Sequence, residues 1–216
     1  MNVRIETKKF NTKVFVDILE NAPQEAIDAT LKDFKQRAPG WIAKEVTKVY
    51  AIKSSDVKPG GTAGNIRPVI KGNSAYIEYT GRTLTPIHFK MSTNVKRRKL
   101  KKYYRVPERM MPNGNKYTTM TENTYYTTKV SIFKGRTKRL WGKYEPPIFM
   151  AGVKGGYLPF QRIKNDSKQF VSVRTTSLPQ MVQHKKVKEG IEENVMQNMQ
   201  KRFEHNLDRY LSKHFK

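Results

Sequence analysis

Residues 187–216 read VKEGIEENVMQNMQKRFEHNLDRYLSKHFK, and this stretch anchors the expected architecture. Apolar residues recur at every fourth position: Val187, Ile191, Val195, Met199, Phe203, Leu207, Leu211 and Phe215, with Met196 and Tyr210 beside them. That spacing predicts one helix of about eight turns. Four residues advance about 400°, so a strict fourfold row drifts by about 40° per step and winds around the cylinder. The first half of the row and its far end therefore face different directions, and a single flat neighbour cannot bury both. Either the helix wraps around its own domain, or its far end (Phe203, Leu207, Tyr210, Leu211, Phe215) packs on another subunit.

Working back from this helix, the chain changes period. Ile66–Ile70, Ser74–Tyr79, Thr85–Phe89, Tyr125–Phe133, Ile148–Ala151, Tyr157–Phe160 and Gln169–Val173 are short, β-branched or aromatic, and set off by turn residues, which predicts a sheet of about five to seven strands. Val3 and Ile5 suggest a short opening strand or arm. Asn11 or Thr12 is placed to cap a helix through Phe15, Val16, Ile18 and Leu19. Pro23 suits the first position of a second helix, with Glu25 and Asp28 near its positive end and Ile27, Leu31 and Phe34 on one face. Pro39-Gly40 is expected to break or kink that helix before Trp41, Ile42 and Val46 resume it. The reading is a single α+β domain over 1–216. Its helical N-terminal part is 1–57, a basic β-rich part with a central antiparallel sheet is 58–176, and a long C-terminal helix lies in 177–216. Met91–Thr124, poor in aliphatics and holding Pro107, Pro112 and Asn113-Gly114, is expected to project as a long loop.

Charge sets the class of partner. The 216 residues carry 43 Lys+Arg against 18 Asp+Glu, a net of +25. Residues 81–160 hold 18 basic and only 3 acidic side chains (Glu108, Glu122, Glu145), so the excess is concentrated rather than spread. One basic face or projection meeting a polyanion is the expectation. Its candidate contacts are Lys96, Arg97, Arg98, Lys99, Lys101, Lys102 and Arg105 in one cluster, and Lys134, Arg136, Lys138 and Arg139 in a second. Such side chains neutralise phosphates without reading sequence. Tyr103, Tyr104 and Trp141 adjoin the clusters and are candidates for stacking on exposed bases. The plainer alternatives are basic surface that serves solubility, and aromatics that serve packing.

Signals for chemistry are thin. There is no cysteine, so neither a disulfide framework nor Cys-ligated zinc is available. His88, His184, His205 and His214 show no metal-ligand spacing, and neither a Gly-x-Ser-x-Gly elbow nor a phosphate loop occurs. Lys58-Pro59-Gly60-Gly61-Thr62-Ala63-Gly64 reads as a turn. No catalytic residue, cofactor or metal is assigned, and a metal-dependent nuclease is disfavoured by the scarcity of carboxylates in the central third. No apolar run approaches the ~20 residues of a membrane span, and the opening Met1-Asn2-Val3-Arg4-Ile5-Glu6 lacks a secretory h-region. A soluble protein of a cell interior is expected.

The order of parts then resembles a known family. Tyr50-Ala51-Ile52-Lys53-Ser54-Ser55-Asp56-Val57 leads into the basic middle, which closes with Phe149-Met150-Ala151-Gly152 and Phe160-Gln161-Arg162. Arg174-Thr175-Thr176-Ser177-Leu178-Pro179-Gln180-Met181-Val182 precedes the last helix, which carries Asn206-Leu207-Asp208-Arg209-Tyr210-Leu211 near its end. This layout, across nearly the whole chain, resembles the minor tail protein Z, or tail completion, family of tailed bacteriophages and prophages. The resemblance implies a structural virion protein at the head-proximal end of the tail (the neck), assembled in the host cytoplasm. It implies a homo-oligomer, with a hexameric ring as first guess, whose partners are tail-tube or tail-terminator and neck proteins, and packaged DNA. The alternative is a stand-alone RNA- or DNA-binding protein without sequence preference.

Overall fold

A computed structural model of the chain describes residues 1–8, 11–17, 23–96, 125–144, 148–153, 156–164 and 169–214. Arg97, Arg98, Lys99, Lys101, Lys102, Tyr103, Tyr104, Arg105, Pro107, Pro112 and Phe215, together with Ile18 and Leu19, lie outside the described residues. The fold is α+β, with antiparallel strand pairs and a long terminal helix. It forms two compact units, Met1–Lys90 with Ser131–Thr137 and Arg174–Lys216, and Met91–Val130 with Lys138–Val173. The sequence boundaries at 57 and 176 do not coincide with these units, because strands read as part of the β-rich middle pair with the N-terminal strands.

The first unit contains β1 (Asn2–Lys8), β2 (Asn11–Asp17), α1 (Gln24–Val49), α2 (Ser54–Val57), β3 (Asn65–Lys71) and β4 (Ser74–Thr80). Its chain ends in α3 (Leu178–Gln183) and α4 (Lys185–His214). The four strands form one sheet in the order β1-β2-β4-β3. The helix expected from Asn11 is therefore a strand. Thr12, Val14 and Val16 are buried while Lys13 and Phe15 between them are half-buried, a period of two that β-branched side chains favour. Hydrogen bonding to β1 on one side and β4 on the other satisfies the backbone. The expected strand at Thr85–Phe89 is instead a 3₁₀ turn, Pro86–His88. The His88 and Phe89 amides bond back to the Thr85 and Pro86 carbonyls at 3.3 and 3.1 Å.

Of the break or kink expected at Pro39-Gly40, the break does not occur: α1 runs through it as one helix. Pro39 removes the donor that would reach the Lys35 carbonyl. The stripe Ile27, Leu31, Phe34, Ala38, Ile42 and Val46 nevertheless crosses the site essentially fully buried, and that burial outweighs one lost hydrogen bond. Pro23 is the N-cap rather than the first helical residue; its carbonyl takes the Ala26 and Ile27 amides at 3.0 and 3.1 Å. Ser177 and Gln180 form a capping box at the start of α3, as a Ser-x-x-Gln spacing permits.

Helix α4 packs antiparallel on α1: Asn194 meets Glu45, Asn206 meets Thr30, and Lys213 meets Glu25. Val187, Ile191, Val195 and Met199 are fully buried. Beyond Met199 the fourfold row turns away, and the α1-facing position passes to Asn206, whose amide donates to Thr30 Oγ1 (3.1 Å) and Asp33 Oδ2 (3.4 Å). Phe203, Leu207 and Tyr210 are half-buried and Leu211 is 42% exposed.

The second unit carries β5 (Lys90–Lys96), β6 (Tyr125–Ser131) and β7 (Lys138–Arg139) in one sheet, and β8 (Ile148–Val153), β9 (Gly156–Arg162) and β10 (Phe170–Ser172) in another. The single sheet expected is thus three, and the start of the expected Met91–Thr124 loop is strand β5. No described helix is long and apolar enough to cross a membrane.

Two stability predictions follow from this packing. Ile191→Ala should cost about 2–5 kcal/mol in denaturant unfolding, and Met196→Ala, on the exposed side of α4, within about 0.5 kcal/mol; equal effects would refute the burial pattern. Burial pushes the Tyr50 hydroxyl up to about 12 and the Tyr79 hydroxyl far above its ordinary value. The folded chain keeps these protons where the unfolded chain releases them, so stability falls as pH rises past about 10. Tyr79 OH has no hydrogen-bond partner among the described residues, so Tyr79→Phe should leave neutral-pH stability unchanged or higher by up to about 1 kcal/mol. It should also raise the alkaline unfolding midpoint in melting curves; a lower midpoint would contradict this account.

Candidate functional site

The second basic cluster is divided between the two units. Lys134 and Arg136 lie on the Ser131–Thr137 segment of the first unit, both exposed. There the Ala51 amide donates to the Ile132 carbonyl (2.8 Å) and the Lys134 amide to the Val49 carbonyl (2.9 Å) at the end of α1. The Tyr50 and Phe133 rings stack at 4.9 Å, and Gly135 takes a φ of 71° in the turn between the two cations. Lys96 ends β5, in the second unit. Lys138 and Arg139 form β7 there.

Strand register builds the clearest cationic surface. Lys129 of β6 stands directly opposite Arg139 of β7, so both project on one face. Thr128 and Val130 alternate with Lys129 and are buried. Leu140 is buried, and its amide donates to the Thr128 carbonyl (2.8 Å), extending the pairing past β7. Arg139 and Trp141 flank Leu140 on the opposite side. The Arg139 guanidinium lies 4.7 Å from the centroid of the Trp141 ring, within cation–π range. Trp141 is 73% exposed, far above any other large apolar residue described.

The chain after Trp141 is held as firmly as the chain before it. Buried Gln161 takes the Tyr144 amide at 2.9 Å and donates its own amide to the Tyr144 carbonyl. Gly142 lies so close to the Gln161 side chain that a Cβ there would overlap it. The Lys143 ammonium sits 5.7 Å from the Tyr144 ring centroid. Elsewhere in this unit Phe149, Phe160 and Phe170 cluster with centroids 5.3–6.2 Å apart, and Arg162 lies over Phe149.

Electrostatically the two units differ. The first pairs many of its cations: Lys13 with Glu78, Arg37 and Arg202 with Asp33, Lys48 with Glu45. The described part of the second unit contains Lys96, Lys129, Lys138, Arg139, Lys143, Arg162 and Lys164 and no Asp or Glu. With 17 Lys+Arg against 4 Asp+Glu in its sequence, the unit carries a net positive field that attracts a polyanion. Sequence reading found Arg139 and Trp141 but missed Lys129 and the Gln161 clamp. Lys129 was available from the alternation of β6 once its partner strand was known; Gln161 carries no local signal at all.

Among the described residues no group of three His, Asp or Glu is placed to hold a metal ion. His205 and His214 are exposed, and His88 Nδ1 lies 3.5 Å from Thr62 Oγ1. No protein-family model, curated protein or solved structure matches the chain.

Gly142→Ala should force Gln161 away and break both contacts with Tyr144, at about 1–3 kcal/mol in denaturant unfolding. An unchanged midpoint would show that the clamp does not exist in solution.

Proposed function

We propose that the protein is a structural component of a phage tail or tail-like particle, completing the head-proximal end of the tail as an oligomeric ring. Its second unit turns a basic surface toward packaged DNA or an acidic neighbour, and it performs no reaction of its own. The observation that carries this reading is the unequal partition of charge. Unit two holds 17 Lys+Arg against 4 Asp+Glu in its sequence, and the described part has no carboxylate to offset the cations. Many weak phosphate contacts of this kind retain DNA without reading its sequence.

The outer end of α4 supports the oligomer. Its α1-facing seam is polar from Asn206 onward, and Phe203, Leu207, Tyr210 and Leu211 keep apolar surface turned partly to solvent. A ring of copies buries such surface on a neighbour. The location in the virion neck and the tail-tube, tail-terminator and neck partners follow from the resemblance in layout. A second reading, a stand-alone nucleic-acid-binding protein, is favoured by the pairing of Arg139 with exposed Trp141.

Light scattering after size exclusion should give a ring-sized mass for the full chain, with a hexamer as first expectation, and a smaller species for Phe203→Ser/Leu211→Ser. Particles lacking the protein should leak DNA at the neck. Intact, infectious particles without it would sink the proposal, and a monomer that binds nucleic acid with a steep salt slope would favour the second reading.

A further inference from the structure

We infer that the Arg139–Trp141 edge of the second unit is a binding site for unpaired nucleobases, so that its nucleic-acid ligand is a single strand. This rests on the second reading of the same unit, a nucleic-acid-binding surface rather than one facing packaged duplex DNA, and goes beyond it, because phosphate contact alone is blind to whether bases are paired.

Three observations converge. The first is cost. Trp141 keeps 73% of its surface in solvent, although a ring of that size gains several times thermal energy on burial. The second is that this exposure is built. The backbone is fixed before the ring by the Leu140–Thr128 hydrogen bond and after it by the Gln161–Tyr144 pair. An aromatic held open on a fixed backbone is preorganised, which removes the ordering cost a mobile one would incur on binding. The third is its surroundings. Arg139 covers one side of the indole at 4.7 Å and Lys129 stands beside Arg139 on the same face. An indole with cations alongside matches a base with its phosphates: the ring takes the base and the cations take the backbone. In a duplex the base faces are already stacked, so the indole has no free face to meet, and duplex would engage the cations alone.

The test uses the full chain carrying Trp41→Phe, which leaves Trp141 as the sole tryptophan, and oligomers of about 16 nucleotides. Oligo(dT) or oligo(U) should quench Trp141 emission, the stronger of the two identifying DNA or RNA. A duplex with the same number of phosphates should not quench it. In anisotropy titrations with Trp41 retained, Trp141→Ala should weaken single-strand binding on the order of tenfold and leave duplex binding unchanged, with Trp141→Phe in between. Equal binding of single strand and duplex, with no quench and no effect of Trp141→Ala, would overturn this inference and leave the polyanion reading standing. Failure to bind either form would overturn both where nucleic acid is concerned, and would leave an acidic protein as the polyanion.

Discussion

The antiparallel seam between α1 and α4 is the constraint on which the first unit depends. Along it α4 packs on α1, and Val187, Ile191, Val195 and Met199 on α4 are fully buried, as is the apolar stripe of α1. Apolar burial of that kind is the main term that offsets chain entropy. It also explains why α1 tolerates Pro39: the stripe on both sides of the proline is buried, in a helix that packs on α4, β3 and β4. Where the seam becomes polar it does so with partners. Glu45, only 5% exposed, takes Lys48 at 2.7 Å and the Asn194 amide at 2.5 Å, as a buried carboxylate requires. Gly190 lies against Glu45, which allows the two helices to approach where a side chain would hold them apart.

The same seam shapes the outer end of α4. A line of closest approach on a straight helix follows a period of 3.6 residues, whereas the apolar row follows 4. The two part by about 40° per step. The row stays buried through Met199 because α4 packs on β1 and α3 as well as on α1. Beyond it, Asn206 and Arg202 make the contact with Thr30 and Asp33. The apolar residues past that point are left facing sideways by helix geometry. Their partial exposure is thus tied to the spacing of the sequence itself.

The second unit has a different economy. Its sheets are small and its sequence carries 17 Lys+Arg against 4 Asp+Glu, so cations outnumber carboxylates about fourfold. Around Trp141, however, the backbone is tied down by Leu140 and Gln161. Local rigidity with an excess of positive charge is what a surface needs to meet a polyanion without first reorganising.

The spacing of residues 187–211, the β-branched and aromatic make-up of β3, β4 and β6, and the concentration of positive charge were all legible in the sequence, because periodicity, composition and charge are local properties that survive folding. The α+β class and the long terminal helix followed from them. Tertiary structure decided the rest. Thr12–Val16 fits either a helix turn or a strand, and only pairing on both edges makes it β2. Pro39 opposes a helix locally, and only burial of the flanking stripe carries α1 through it. The opposition of Lys129 to Arg139 depends on register, and the hold of Gln161 on Tyr144 joins residues 17 apart. Neither leaves a trace in composition or period, since each exists only once distant segments have been brought together.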